Sequence, residues 1–128
     1  MKLKLFLLLS VFFAFNCYGG WTIITDDIDG NSYYIDTNSI NKRDGFVYYW
    51  ELVDYVEKNQ SGDMSDKAYY QGSCEQSRVK LLSVTYYNKP MANGAQKKHI
   101  PSNPIWDFPL YESSVGGYLL NFVCNWVK

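Results

Sequence analysis

After an apolar run near the start, apolar and polar residues alternate along most of the chain. Leu5 to Phe15 is apolar apart from Ser10, and Lys2 and Lys4 precede it. From Trp21 onward, apolar positions recur every second residue in short stretches, the period of half-buried strands. Trp21 to Thr25 (WTIIT) predicts a first strand and Ser32 to Ile35 (SYYI) a second, with Asp29-Gly30 between them as a tight-turn signal. Asp36 to Asn41 is polar and reads as one helical turn or a loop. Gly45 to Tyr55 (GFVYYWELVDY) is the strongest strand. Its even positions Phe46, Tyr48, Trp50 and Leu52 form one apolar row, while Val47, Tyr49, Glu51, Val53 and Tyr55 form a mixed one. Lys67 to Ser77 and Arg78 to Tyr87 predict two more strands, or one long strand with a bend. The apolar row changes face at Leu81-Leu82, which predicts a bulge or a change of partner. Asn88 to Pro109 carries four prolines and reads as a long irregular loop.

The spacing changes near the end. Val115, Leu119, Phe122 and Trp126 fall on one stripe at helical spacing, and Ser113 or Ser114 is placed to cap the helix. Cys124 falls on the outer edge of the wider apolar arc. Strands first and one helix last predict an α+β domain: an antiparallel sheet of about five to six strands with a C-terminal helix packed on it.

The start reads as an export signal. Eleven residues, ten of them apolar, are too few for a membrane-spanning helix, which needs about 20, and a basic start before a short apolar core describes a secretory signal peptide. Residues 1–19 are therefore assigned to the signal and 20–128 to one domain. Two processing routes fit "AFNCYGGW". Signal peptidase cutting after Gly19 has small residues at Cys17 and Gly19 and starts the chain at Gly20. Lipoprotein processing instead cuts before Cys17, which then carries the lipid. Phe15 and Asn16 match a lipobox poorly, so simple cleavage is the expectation and lipidated Cys17 the alternative. The destination is the periplasm, the outer membrane or the cell surface.

Loss of Lys2 and Lys4 changes the balance from 12 basic and 13 acidic residues to 10 and 13. That excess of acid gives no reason to expect nucleic-acid binding. Contact with a membrane is expected only through a lipidated Cys17. With Cys17 removed or lipidated, Cys74 and Cys124 remain as an even pair in an oxidising compartment, and a disulfide between them is the economical reading. A metal or redox site is the rival, but the chain has one histidine and no Cys-x-x-Cys.

Catalytic signals are sparse. Asp27, Asp29 and Asn31 are spaced like the start of a calcium loop, yet Ser32 stands where that loop needs glycine, so a hairpin turn is expected. No Gly-x-Ser-x-Gly motif accompanies His99, and Glu51 and Asp54, three apart on a strand, face opposite ways. A non-enzymatic protein without a cofactor or metal is expected. The aromatics say more. Tyrosine pairs recur at Tyr33-Tyr34, Tyr48-Tyr49, Tyr69-Tyr70 and Tyr86-Tyr87. One member of each faces inward and the other outward, so neighbouring strands would align a phenolic strip. Such a strip stabilises the sheet across strands, is buried beneath a second subunit, or contacts a ligand. Tyr69 and Tyr70, with the basic cluster Lys97, Lys98 and His99 on the long loop, form the candidate ligand surface; an acidic or sulfated ligand would suit it.

The segments "YYIDTNSI", "VYYWELVDY", "SCEQSRVKLLSVTYYNKPM" and "SVGGYLLNFVC", in this order, resemble the surface-adhesin protein E family of Gram-negative bacteria. The combination is specific: WELVDY, then Cys74, Arg78, Leu82, Ser83, Tyr86 and Tyr87 at family spacing. The resemblance implies an antiparallel sheet with a C-terminal helix tied by a Cys74–Cys124 disulfide. It also implies a surface lipoprotein that dimerises and binds host extracellular-matrix and serum glycoproteins, with haem binding also attributed to the family's named member. The expectation is an exported protein-binding module; the alternative is a periplasmic small-ligand or haem carrier with His99 as the iron ligand.

The intact mass of protein purified from its own host separates the two processing routes. A chain starting at Gly20, lighter by about two mass units for one disulfide, is expected; a diacylglycerol-modified Cys17 at the N-terminus would replace that reading.

Overall fold

A computed structural model describes residues 20–128. The signal segment, its cleavage site and Cys17 lie outside the described residues. Seven strands form one antiparallel sheet: β1 (Trp21–Asp26), β2 (Ser32–Asp36), β3 (Asn41–Arg43), β4 (Phe46–Asp54), β5 (Ser65–Ser73), β6 (Arg78–Lys89) and β7 (Asn93–His99). The order across the sheet is β1-β2-β4-β5-β6-β7, and β3 pairs with the first half of β4. One helix, α1 (Val115–Trp126), follows and packs against β1 and β4. Among the described residues no helix is long and apolar enough to cross a membrane. The fold is the α+β arrangement that the pattern implied.

Local chemistry explains the turns. Between β1 and β2, Asp27 Oδ1 accepts the backbone N–H groups of Asp29 and Asn31, each at 3.0 Å. Its Oδ2 accepts the Asn31 side-chain amide at 3.0 Å and the Tyr33 hydroxyl at 2.9 Å. Gly30 supplies the positive φ of 91° that the turn requires. The calcium-like spacing is thus a hairpin turn, with both Asp27 oxygens engaged by the chain's own donors. The expected bulge is also present. Tyr69 pairs with Ser83 and Tyr70 with Leu81, leaving Leu82 as the extra residue.

The region read as a loop from Asn88 to Pro109 contains β7, which pairs with β6 from Val84 to Lys89. Lys97, Lys98 and His99 therefore sit on a strand. The sequence Asn-Gly-Ala-Gln-Lys-Lys-His lacks the β-branched and aromatic residues that mark strands. It is exposed throughout and is held by backbone pairing at the sheet edge, where lysines discourage further pairing. The connecting turn is fixed from beneath. Asp54 Oδ1 accepts the Met91 N–H at 2.9 Å, and Ser65 Oγ accepts the Ala92 N–H at 2.9 Å while donating to the Lys89 carbonyl at 2.6 Å. Only the segment after β7 is irregular. It runs back along the part of β6 that β7 leaves unpaired, through a Lys80–Trp106 bridge and bonds from the Asp107 and Leu110 N–H groups.

The core lies between α1 and one face of the sheet. Ile35, Val47, Tyr49 and Val79 meet Leu119, Leu120 and Val123 there. The buried row of β4 is the mixed one, and the apolar even row faces away from the helix. The stripe on α1 is rotated accordingly: Leu119, Leu120 and Val123 are its centre, while Trp126 is about half exposed. This rotation puts Cys124 on the flank of the contact, within reach of Cys74 in the β5–β6 turn. The two form a disulfide with Cα atoms 5.9 Å apart. Ser114 caps α1 by accepting the Gly117 N–H at 3.0 Å. Gly72 lets the helix approach; a Cβ there would lie 2.6 Å from Leu120 Cδ1 and 2.9 Å from Val47 Cγ2.

Two outcomes follow for chemical denaturation. Gly72→Ala is expected to destabilise the domain by about 1–3 kcal/mol through overpacking. Replacing both Cys74 and Cys124 by serine is expected to cost about 4 kcal/mol, the loop-closure entropy for a separation of 50 residues. Wild-type stability in the glycine variant would show that α1 does not depend on this close approach.

Candidate functional site

Strand register assigns the side chains to two faces with different chemistry. Paired across the sheet, Ile35, Glu51 and Ala68 share one face, as do Tyr33, Val53 and Asp66. Tyr49 and Tyr70, directly opposite each other, lie on the same side. This is the face that α1 covers. The other face carries Phe46, Tyr48, Trp50 and Tyr69 with no helix across it.

On this open face, aromatic rings and cations form a continuous layer. Trp50 and Tyr69 stack with centroids 4.7 Å apart, and Tyr48 lies 6.2 Å from Tyr69. The Arg43 guanidinium sits 4.0 Å over Tyr48, and the Lys67 ammonium 5.0 Å over Trp50. At one end Trp106 packs on Phe46 at 5.5 Å, with the Lys80 ammonium 4.7 Å above its ring. Lys98 joins the same face through the row Lys67, Thr85, Lys98. Arg43, Lys67 and Lys80 are each held over a ring by an interaction of roughly 0.5–1 kcal/mol at exposed sites. The result is a basic, aromatic surface on a chain with more acid than base.

The covered face is acidic by contrast. Glu51 is 8% exposed and lines a cavity of about 210 Å³ between the sheet and the start of α1. Tyr33, Tyr49 and Tyr70 supply its aromatic walls, and the exposed Asp107 stands at its rim. Tyr49 and Tyr70 stack at 5.7 Å, and Tyr33 is fixed by its bond to Asp27. Burial pushes the Glu51 carboxyl from the ordinary 4.5 up to about 8, and the nearby Asp66 carboxylate adds to the rise. Asp66 is itself raised to about 6 by burial, although the Tyr55 hydroxyl donates to it. Burial also raises the Tyr49 and Tyr70 phenols, so both stay neutral.

Of the residues proposed from sequence, Lys97, Lys98 and His99 line one open depression, while the two tyrosines are on opposite faces. Tyr69 is on the open face and Tyr70 lines the cavity on the other. Lys97 is ion-paired with Asp63 at 3.3 Å, and Lys98 alternates with it along β7 while lining the same depression. His99 ends β7 beside an open depression walled by Asn59, Ser61, Asp63 and Tyr86. Those polar walls do not fit a porphyrin, whose broad faces call for apolar surroundings. Among the described residues no group of three His, Cys, Asp or Glu side chains could hold a metal ion. Glu51, Trp50 and the cations Arg43, Lys67 and Lys80 were not singled out as site residues. The available signal was Glu51 within the row that also carries Val47, Tyr49 and Val53, a carboxylate where an inward row needs an apolar residue.

Comparison with known proteins gives the family. The chain matches the model for surface-adhesin protein E over residues 21–125 and belongs to that family. It is similar in fold to protein E of Haemophilus influenzae. One crystal form aligns with a TM-score of 0.62 at 17% identity, covering 86% of this chain and 91% of that one. Protein E from non-typeable Haemophilus influenzae aligns with a TM-score of 0.60 at 16% identity, covering 84% and 76%. No curated protein sequence matches the chain.

The raised Glu51 carboxyl has a signed consequence. An acid whose folded value lies above its unfolded value favours the folded state when protonated, so its contribution falls as pH rises from about 4.5 to about 8. Glu51→Gln, which keeps the shape of the protonated acid, is expected to be more stable than wild type at pH 8. The difference should grow by up to about 1.4 kcal/mol per pH unit across that window. A pH-independent difference in urea unfolding would refute the buried acid.

Proposed function

We propose that this member of the surface-adhesin protein E family is an exported, non-enzymatic protein-binding module that attaches to acidic segments of host extracellular-matrix or serum glycoproteins. The observation that carries this reading is the open sheet face, where Arg43, Lys67 and Lys80 each lie over an aromatic ring. Tryptophan, tyrosine and arginine are the side chains that most often dominate protein interfaces. Their rings here are stacked and pre-positioned, so little conformational freedom would be lost on binding. The cations favour an acidic or sulfated partner and speed its approach. Of the surface residues proposed from sequence, Tyr69 and Lys98 belong to this face. Ile105 and Phe108, on the segment anchored by the Lys80–Trp106 bridge, hold apolar side chains in water.

Binding to a panel of immobilised matrix and serum glycoproteins tests the proposal. For a glycoprotein that binds wild type, the Trp50→Ala/Tyr69→Ala double variant is expected to lose about 30-fold or more in affinity, the scale of an interface hot spot. Lys67→Ala should mainly slow association and weaken its salt dependence. Undiminished binding by the folded double variant would remove the open face from the account.

A further inference from the structure

We propose that the cavity beneath α1 binds a small organic cation with a substituted ammonium group, walled by Tyr33, Tyr49 and Tyr70 and neutralised by the Glu51 carboxylate. This site lies on the opposite face from the protein-binding surface and does not depend on that reading. Three observations converge on it. The cavity, about 210 Å³, is too small for drug-sized ligands but large enough for a compact headgroup. Three tyrosines line it, and tyrosine rings attract cations more strongly the less water competes. A carboxyl group more than nine-tenths buried opens into it without a cation among its neighbours.

The surroundings restrict the ligand's charge. Facing Glu51 are Tyr33 from β2, Tyr49 from β4, Tyr70 and Asp66 from β5, and Asp107 from the segment after β7. The helix brings only Val115, Gly116 and Leu119. Among the described residues no basic side chain lines the cavity, so an anionic ligand would meet two carboxyl groups there. A phosphorylated headgroup is disfavoured for the same reason: its phosphate would lie near Asp107. A divalent metal is disfavoured because among the described residues no three ligands converge.

Binding moves a proton. In the free protein the desolvated Glu51 holds its proton at neutral pH. A bound cation supplies the charge that lets the acid ionise, and the proton leaves to solvent. Affinity should therefore rise about tenfold per pH unit between pH 6 and 8 and level off above.

Isothermal titration calorimetry with choline and tetramethylammonium tests this, at several pH values and in buffers of different ionisation heat. The expected results are binding at millimolar concentration or below, release of close to one proton at pH 7, and the stated rise with pH. Glu51→Gln, confirmed as folded by its melting temperature, should lose at least tenfold in affinity at pH 8 along with the pH dependence. Tyr70→Leu should weaken binding at every pH. Phosphocholine and phosphatidylcholine vesicles should bind at least tenfold more weakly than choline. Absence of binding by both cations, pH-independent binding in wild type, or equal affinity in Glu51→Gln would overturn the proposal. Preference for phosphocholine or the vesicles would overturn the choice of a free cation.

Discussion

The distance at which α1 can lie on the sheet decides most of the other features of this structure. Gly72 has no side chain where Leu120 and Val47 meet, so the helix approaches β4 and β5 more closely than any other residue there would permit. The disulfide then fixes one flank of the helix to the β5–β6 turn. Seven residues from the two layers close the core between them. Glu51 is dehydrated because it lies beneath this lid, and the cavity remains because the start of α1, which carries Gly116 at this point, does not fill the space above it.

The same constraint divides the sheet electrically. Covered strand residues include Glu51 and Asp66, both raised by burial. Residues one position away point to the open side and include Lys67, which lies over Trp50. Since side chains alternate along a strand, each acid on one face has its neighbours on the other. A one-residue slip would place cations in the core and carboxylates among the aromatics, so the charge pattern reinforces the register set by apolar burial. A single sheet thus carries a broad basic, aromatic surface on one face and a narrow acidic recess on the other.

Much of this was legible in the sequence, and the failures have physical causes. The strands with β-branched and aromatic residues, the helix and its Ser114 cap, and the bulge at Leu82 follow from local pattern. The Cys74–Cys124 pairing follows from parity. β3 and β7 do not, because Asn41–Arg43 and Asn93–His99 are exposed and form strands only through pairing with a neighbour's backbone. Choosing the buried face of β4 required the helix. Phe46, Tyr48, Trp50 and Leu52 form the more apolar row, yet all four lie on the side away from α1; Leu52 is buried there, and over Tyr48 and Trp50 cations replace a packed layer. The split of Tyr69 from Tyr70 follows from strand alternation, and Lys97 and Lys98 alternate once β7 is known to be a strand.

The most direct test of this arrangement is the ionisation of Glu51, since only a closely seated helix can keep its carboxyl from water. Carbon-13 NMR of the Glu51 side-chain carboxyl, followed from pH 4 to 10 in protein labelled at glutamate and assigned with Glu51→Gln, reads it without reference to any ligand. The expected midpoint is about 8. A midpoint near the ordinary 4.5 would mean that water reaches the carboxylate, that α1 does not close this face, and that the cavity is not the dehydrated recess described above.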